Sequence, residues 1–246
     1  MIKAVLFDYG GTLVRPKEPW VEVKPKVLHL VYDLMCRNGL KLSYDEYMEI
    51  NDSVFEKYSK TEQSEGTDVA DIVKYKELVG VLFPNRSAAW RTKLADKCNN
   101  TFWDATVRNF VIRENAHATL AELRSMKLRL AVVSNHHYPE SLAKHLDELR
   151  LTPYFSHVFA SAQVGFRKPD PRIIRACLSS LRVNGEQAVF VGDSREFDME
   201  AARRSGLRSI LISDGASEKG HGASGADPDF IISDLAEVPR IVSTMG

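Results

Sequence analysis

Two hydrophobic patterns divide the chain into segments with different predicted structures. The first runs from about Lys24 to Phe110, where apolar residues recur at the three- and four-residue spacing of amphipathic helices. This spacing predicts four helices. The first is marked by Val27, Leu30, Val31, Leu34 and Met35, and the second by the apolar residues from Tyr44 to Tyr58. The third is marked by Val69, Ile72, Val73 and Val79, and the fourth by the apolar residues from Trp90 to Phe102. Ser43 and Glu46 form a capping box at the start of the second helix. We interpret the segment as a small antiparallel bundle whose aromatic residues fill its core.

The second pattern begins at Glu114, where predicted helices alternate with short runs rich in Val and Ile. The predicted helices cover 116–125, 139–149, 170–182 and 197–205, and the predicted strands cover 128–133, 157–160, 188–191, 209–212 and 230–232. Such alternation is typical of a parallel sheet with helices on both faces. Another apolar run, from Ile2 to Phe7, has no helical partner unless it joins that sheet.

These patterns predict an α/β fold, a Rossmann-like three-layer parallel sheet core with an inserted all-α domain. The core would comprise residues 1–15 and 112–246, and the insertion residues 16–111. An insertion at this point is expected to cover the catalytic edge of the sheet as a lid.

Composition limits the classes of partner. Among 246 residues, 33 Lys and Arg balance 33 Asp and Glu, so the net charge is zero. This balance gives no support for nucleic-acid or membrane-surface binding. The first apolar run is too short for a signal peptide, and no stretch approaches the roughly 20 apolar residues that span a bilayer. Cys36, Cys98 and Cys177 are expected to be free thiols. We therefore expect a cytoplasmic protein that acts on a small molecule; nothing in the sequence indicates an oligomeric state.

Asp8 is the residue that points most directly to chemistry. It ends the first apolar run and precedes Tyr9-Gly10-Gly11-Thr12, whose glycines end the strand and expose backbone amides. In open α/β sheets, ligands bind at the carboxyl ends of the strands. A carboxylate there can be a nucleophile or a metal ligand, although it can also simply cap a turn.

Other predicted strand ends carry polar residues that could meet Asp8. Ser134 and Asn135 follow one strand, and Gly192-Asp193-Ser194 follows another, with Asp198 five residues after Asp193. Lys168 precedes Asp170 and Pro171, which fit the N-cap and first position of a helix. Carboxylates that hold Mg²⁺, together with a lysine and backbone amides, are what chemistry on a phosphate requires.

These motifs and their order resemble the haloacid dehalogenase superfamily, specifically its capped phosphatase-like members. The resemblance implies that Asp8 is the nucleophile of an aspartyl-phosphate mechanism and that the helical insertion is a cap. It further implies a phosphate site and a Mg²⁺ site. The phosphate site would contain Gly11, Thr12, Ser134, Asn135 and Lys168, with Ser134 and Lys168 also catalytic. The Mg²⁺ ligands would be Asp8, the Gly10 carbonyl, Asp193 and Asp198.

One position departs from the family's pattern. Phosphatases of this family usually carry a second aspartate two residues after the nucleophile, as general acid and base, where this chain has Gly10. Such a group contributes about 10²–10⁴-fold in rate. Three interpretations follow: the substrates have good leaving groups, such as acyl or aryl phosphates; His136 or His137 supplies the proton, unless both are solvated loop residues; or the reaction is not phosphomonoester hydrolysis.

Three alternatives to a Mg²⁺-dependent phosphatase therefore stay open. A haloacid dehalogenase would not need the missing acid, but it would not need the retained Asp193 and Asp198 for a metal either. A phosphonatase-like hydrolase would need a cap lysine for an imine, and the sequence offers several, including Lys24, Lys26 and Lys41. A weakly active, phosphate-binding regulatory protein would keep the cleft without turnover.

One further motif matches a known binding pattern but lacks the structural context that the pattern requires. Residues Gly220 to Gly225 match the dinucleotide-binding pattern G-x-G-x-x-G. The motif is followed by Asp227-Pro228 and a predicted strand rather than by a helix, so we interpret it as a polar loop.

Overall fold

The computed structural model describes residues 1–213 and 225–245. Apart from Gly225, the glycine motif at 220–225 lies outside the described residues. The chain forms two compact units, one made of Met1–Arg15 with Val111–Gly246 and the other of Pro16–Phe110. The chain passes from one unit to the other within two short strands, β2 (Val14–Pro16) and β3 (Phe110–Ile112), which pair with each other.

The first unit is built on a six-stranded sheet in the described part of the chain. Its strands are β1 (Ala4–Phe7), β4 (Arg129–Ser134), β5 (His157–Ala160), β6 (Ala188–Gly192), β7 (Arg208–Ile212) and β8 (Phe230–Ile232). Their order is β5-β4-β1-β6-β7-β8, and neighbouring strands pair in parallel. The predicted parallel α/β sheet is confirmed, and β1 lies between β4 and β6, where both of its faces are buried.

Helices cover this sheet. In chain order they are α5 (Ala116–Ser125), α6 (Pro139–Glu148), α7 (Ser161–Val164), α8 (Pro171–Leu181), α9 (Glu200–Arg204) and α10 (Val238–Thr244). Leu6 and Phe190 pack in one core cluster with residues of α8 and α9. The side chains of a strand alternate between faces, so Val5 and Phe7 point to the opposite face, and the neighbouring strand β4 contacts α5 as well as α8. The unit therefore has three layers.

The pairing register brings the ends of the central strands to one edge of the sheet. Phe7 of β1 lies opposite Val132 of β4 and Val191 of β6. Asp8 follows Phe7 by one residue, while Ser134 and Asp193 each follow their partner positions by two. All three therefore emerge from the same edge, as the sequence predicted.

The second unit is helical, with α1 (Trp20–Arg37), α2 (Tyr44–Glu65), α3 (Asp71–Leu82) and α4 (Ala88–Val107). The predicted capping box is present, because the Ser43 side chain accepts from the Glu46 amide while the Glu46 carboxylate accepts from the Ser43 amide. Tyr47 and Tyr75 are fully buried in the hydrophobic core of the helical unit, as expected for core aromatics. Two residues of the predicted stripes, Leu30 and Val73, are instead exposed.

Four charged side chains are buried inside the helical unit, which the hydrophobic pattern did not predict. Glu62, Asp68, Asp71 and Lys74 are each at least nine-tenths buried. The Lys74 ammonium lies 2.9 Å from a Glu62 oxygen and 3.3 Å from an Asp71 oxygen. Trp103 Nε1 donates to the second Asp71 oxygen at 3.1 Å. Such pairing offsets the cost of burying the charges of Glu62, Asp71 and Lys74.

One predicted helix has a different form. Residues 197–205 were expected to be one α-helix, but the chain forms a π-turn over Arg195–Met199 before α9. The amides of both Asp198 and Met199 bond to the Ser194 carbonyl, which widens this turn. The wide turn carries Asp198.

Within the described ranges, no helix combines the length and the apolar character needed to cross a membrane.

Candidate active site

A cavity of about 200 Å³ opens at the edge of the sheet where Asp8 emerges. Its walls are formed by Asp8, Gly10, Ser134, Asn135, Lys168, Asp193, Ser194, Phe197 and Asp198. These residues come from the end of β4, from the segments that follow β1, β4 and β6, and from the segment that precedes α8. The polar residues predicted at separate strand ends therefore surround one cavity.

Lys168 is the centre of the polar contacts in this cavity. Its ammonium lies 2.6 Å from Asp8 Oδ1 and 2.6 Å from Asp198 Oδ1. It also donates to the Val133 carbonyl at 2.9 Å. The side chain is almost fully buried, so these three acceptors take the place of water. Lys168 thus links the end of β1 to the turn that follows β6.

Asp198 connects that turn to its own backbone. Its Oδ2 atom accepts hydrogen bonds from the amides of Asp193, at 3.1 Å, and Ser194, at 3.0 Å. With Lys168 on Oδ1, the Asp198 carboxylate is held at both oxygens. Asp193 is thereby fixed through its backbone while its side chain faces the cavity.

Two glycines make this close arrangement possible. A Cβ on Gly11 would lie 2.1 Å from Asp193 Oδ2, and the φ angle of Gly11 is +86°, a conformation that favours glycine. A Cβ on Gly192 would lie 2.5 Å from three atoms of Asp198. Any larger residue at either position would displace a cavity carboxylate. The sequence marked Gly11 as a turn residue but gave no sign of its contact with Asp193.

Asn135 holds the backbone of Lys168 rather than standing free in the cavity. Its Oδ1 accepts from the Lys168 amide at 2.8 Å, and its Nδ2 donates to the Lys168 carbonyl at 2.9 Å. Asp170 caps α8 by accepting from the Arg172 amide, with Pro171 at the first helical position, as predicted. Lys168 is therefore fixed by Asn135 just before a capped helix.

The site carries more negative than positive charge. Burial raises the pKa of Asp8 to about 6, although the Lys168 ammonium acts in the opposite direction. Burial, with the nearby charges of Asp198 and Asp8, raises the pKa of Asp193 well above its ordinary value. Burial lowers the pKa of Lys168, but Asp198 and Asp8 outweigh this effect and raise it. Lys168 therefore stays protonated and compensates only part of the charge of the carboxylates.

This charge imbalance fits a divalent cation. One oxygen from each of Asp8, Asp193 and Asp198 lies within 4.8 Å of the others. Carboxylate oxygens are the ligands that Mg²⁺ prefers, and a cation would relieve the repulsion that raises the pKa of Asp193. The donor set fits Mg²⁺ on its chemistry.

The remaining predicted residues have different positions. Gly11 and Thr12 are not among the residues that line the cavity, and Thr12 is fully buried. His136 and His137 do not line it either; His136 is buried and its Nδ1 contacts the Tyr138 amide at 3.2 Å. Among the lining residues, Ser194 and Phe197 were not predicted. Both residues lie in the motif between Asp193 and Asp198, and this position is the sequence feature that could have identified them.

With this geometry in view, comparison with known proteins identifies the class. The family model described as haloacid dehalogenase-like hydrolase matches residues 2–206. The chain belongs to this family of hydrolases, which confirms the resemblance seen in the sequence.

Similar proteins include several phosphatases. The chain is 36% identical over 131 residues to a phosphoserine phosphatase of Thermus thermophilus, an alignment that covers 53% of the chain and 51% of that relative. Here the chain spans about half the length of the relative. It is 26% identical over 247 residues to a glyceraldehyde 3-phosphate phosphatase of Methanocaldococcus jannaschii, covering 100% of the chain and 99% of the relative.

A solved structure supports the fold. The 2-haloacid dehalogenase of Pseudomonas syringae pv. Tomato DC3000 superposes with a TM-score of 0.76 over 100% of both chains, at 20% sequence identity. At this sequence identity the likeness shows the fold alone.

Proposed function

We propose that this protein is a Mg²⁺-dependent phosphatase that acts on small phosphorylated substrates through an aspartyl-phosphate on Asp8. The observation that carries the proposal is the grouping of Asp8, Asp193 and Asp198 around the buried Lys168 ammonium. In this proposal the unit of residues 1–15 and 111–246 is the catalytic core, and the helical unit of residues 16–110 is the cap that selects the substrate.

The proposed reaction has two covalent steps. An Asp8 carboxylate oxygen attacks phosphorus, and the bond from phosphorus to the leaving oxygen breaks, with the electron pair going to that oxygen. Water then attacks the phosphorus of the aspartyl-phosphate, releasing inorganic phosphate and regenerating Asp8. The Lys168 charge, beside the attacking carboxylate, and the Ser134 hydroxyl stabilise the charge on the transferred oxygens.

A cation in this site would be held by Asp8, Asp193 and the Gly10 carbonyl, with Asp198 close by. Mg²⁺ there supplies charge that lets an anionic carboxylate approach a phosphate dianion. Asp198 orients Lys168 and the backbone of Asp193, since both of its oxygens already accept N–H bonds.

A 2-haloacid dehalogenase is the second candidate, and the glycine at position 10 favours it. Halide departs without a proton, so an enzyme of this kind loses nothing by lacking an acid there. The buried carboxylates argue against it, because a dehalogenase has no need for charge that only a cation would balance.

Assays of the wild-type protein separate these functions. We expect hydrolysis of 4-nitrophenyl phosphate that depends on Mg²⁺ and disappears in excess EDTA, with no halide release from 2-chloropropionate. Halide release that persists in EDTA, without phosphatase activity, would establish the dehalogenase instead. Absence of both activities across a panel of phosphorylated metabolites would favour a regulatory phosphate-binding protein.

A further prediction concerns Asn135. Asn135→Ala removes both hydrogen bonds that hold the Lys168 backbone. Each contributes about 0.5–1.5 kcal/mol, so kcat/KM for an aryl phosphate should fall by roughly 10- to 100-fold as Lys168 loses its position. The control is Asn184→Ala, which removes the cap of the turn before β6 at the opposite end of the strand. We expect wild-type kcat/KM for this control; equal losses in both variants would show that Asn135 acts only on stability.

A further inference from the structure

The space beside Gly10 is open. Gly10 lines the cavity, and a Cβ placed on it would meet no atom within 4 Å. Its φ angle lies outside the left-handed region that favours glycine, in contrast to Gly11. A side chain at this position would therefore have room in the cavity, but glycine supplies none. Any proton for a leaving group would have to come from another residue of the cavity.

Lys168 is not available as that source. An ammonium group has three N–H donors. In Lys168 they are directed to Asp8 Oδ1, Asp198 Oδ1 and the Val133 carbonyl, at 2.6, 2.6 and 2.9 Å. To protonate a leaving group, Lys168 would have to give up the contact that orients the nucleophile or the one that orients Asp198.

The carboxylates are needed in their ionised form. Asp8 is the proposed nucleophile, and Asp193 the proposed metal ligand. Asp198 accepts hydrogen bonds from the Lys168 ammonium and from the amides of Asp193 and Ser194. Both oxygens of Asp198 thus already accept N–H hydrogen bonds that hold Lys168 and the turn after β6. None of these carboxyl groups can carry a proton for the leaving group without losing its own role.

The side chains of the other residues that line the cavity are not acidic enough to protonate a leaving group. Serine hydroxyls such as Ser134 and Ser194 are no more acidic than water, and the Asn135 amide is engaged with Lys168. Phe197 has no polar atom. Among the described residues that line the cavity, no side chain thus has the acidity and the freedom to protonate an alkoxide.

None of the histidines near the strand ends lines the cavity. The Nδ1 atom of His136 contacts the Tyr138 amide, and its ring packs edge-on against Tyr9 at 6.5 Å between ring centroids. His145 bonds to the Tyr9 hydroxyl, and neither it nor His137 lines the cavity. The sequence left open whether His136 or His137 replaces the missing acid; their positions in the core unit favour the alternative explanation, in which the substrate needs no proton.

We infer that this enzyme is specific for phosphates whose leaving group is stable as an anion, namely acyl and aryl phosphates, and discriminates against alkyl phosphates. The inference rests on the proposed phosphatase function and narrows its substrate class. In the first covalent step the bond between phosphorus and the leaving oxygen breaks, and the departing carboxylate or phenolate takes its electron pair and remains unprotonated. An alkoxide would need a proton that the cavity does not supply.

The test is the dependence of kcat/KM on the acidity of the leaving group. The substrates are acetyl phosphate, 4-nitrophenyl phosphate, phenyl phosphate and an alkyl phosphate such as glycerol 3-phosphate, all with Mg²⁺. The ratio kcat/KM reports the step in which the leaving group departs, and so it is not masked by slow release of phosphate from Asp8. The variants are Gly10→Asp, which adds a carboxyl in the open space, and Gly10→Asn, which matches its size but cannot transfer the proton.

We expect wild-type kcat/KM to fall steeply from acetyl phosphate to the alkyl phosphate. Relative to Gly10→Asn, the Gly10→Asp variant should raise the ratio of kcat/KM for the alkyl phosphate to kcat/KM for 4-nitrophenyl phosphate by about 10²-fold. A wild-type enzyme equally efficient on alkyl and aryl phosphates would overturn the inference while leaving the phosphatase function intact. No hydrolysis of any of the four substrates would instead refute the phosphatase function.

Discussion

Replacement of Asp8 by Asn is expected to abolish phosphate hydrolysis without lowering the stability of the fold. The amide keeps the shape of the side chain but cannot attack phosphorus. Loss of a covalent nucleophile costs on the order of 10⁴-fold or more in kcat. The measurement is single-turnover hydrolysis of 4-nitrophenyl phosphate with Mg²⁺, with Asp33→Asn, at an exposed position of α1, as a matched control of wild-type activity.

The direction in which Asp8→Asn changes the stability follows from the pKa of Asp8. The pKa of Asp8 is raised to about 6 in the folded protein, from an ordinary value of 3.8. Above pH 6 the ionised carboxylate therefore reduces the free energy of unfolding, and this penalty is lost progressively as the pH falls from about 6 towards 3.8. Asn cannot ionise, so at pH 7.5 without Mg²⁺ the Tm of Asp8→Asn should equal or exceed that of wild type. An active Asp8→Asn protein would contradict the covalent mechanism, and an unfolded one would show that Asp8 is structural.

The second large effect is expected for Asp193→Asn. In wild type, Mg²⁺ should raise the Tm, because a ligand that binds only the folded state stabilises it. Without the Asp193 carboxylate this shift should disappear, while the Tm without metal should rise, since burial and the charges of Asp198 and Asp8 act against an ionised Asp193. A metal supplies several kcal/mol to phosphoryl transfer, so kcat/KM should fall on the order of 10³-fold.

The control for Asp193→Asn is Asp227→Asn. Asp227 is exposed and pairs with Arg195 at 2.8 Å, a contact that contributes little to stability. Its substitution should leave both the Tm shift with Mg²⁺ and the activity at wild-type values. Full Mg²⁺ dependence in Asp193→Asn would show that the metal binds elsewhere.

The parts of the fold that depend on local sequence were predictable. The apolar run that ends at Asp8 formed a buried central strand, and the Ser43–Glu46 capping box begins α2, because both signals lie within a few residues. The strands β2 and β3, three residues each, were missed, since three residues are too few to show a periodicity.

The contacts that organise the site are long-range and left no local signal. Asn135 and Lys168 are 33 residues apart, and their mutual hydrogen bonds depend on how β4 and the segment before α8 pack. The approach of Gly192 to Asp198 is local in sequence, but it depends on the π-turn, which the hydrophobic pattern did not predict. The sequence could name Asp8, Lys168 and Asp193 as candidates from their chemistry, but only the fold shows that Lys168 has no donor to spare.

The most direct test of the account is to trap the covalent intermediate. Wild-type protein would be mixed with Mg²⁺ and acetyl phosphate, quenched in acid within the first turnover, digested and examined by mass spectrometry. We predict that the peptide containing Asp8 gains the mass of one phosphoryl group, that hydroxylamine removes it, and that Asp8→Asn gains none. Turnover of the substrate with no phosphoryl group on that peptide, or with the group on a different residue, would contradict the aspartyl-phosphate mechanism.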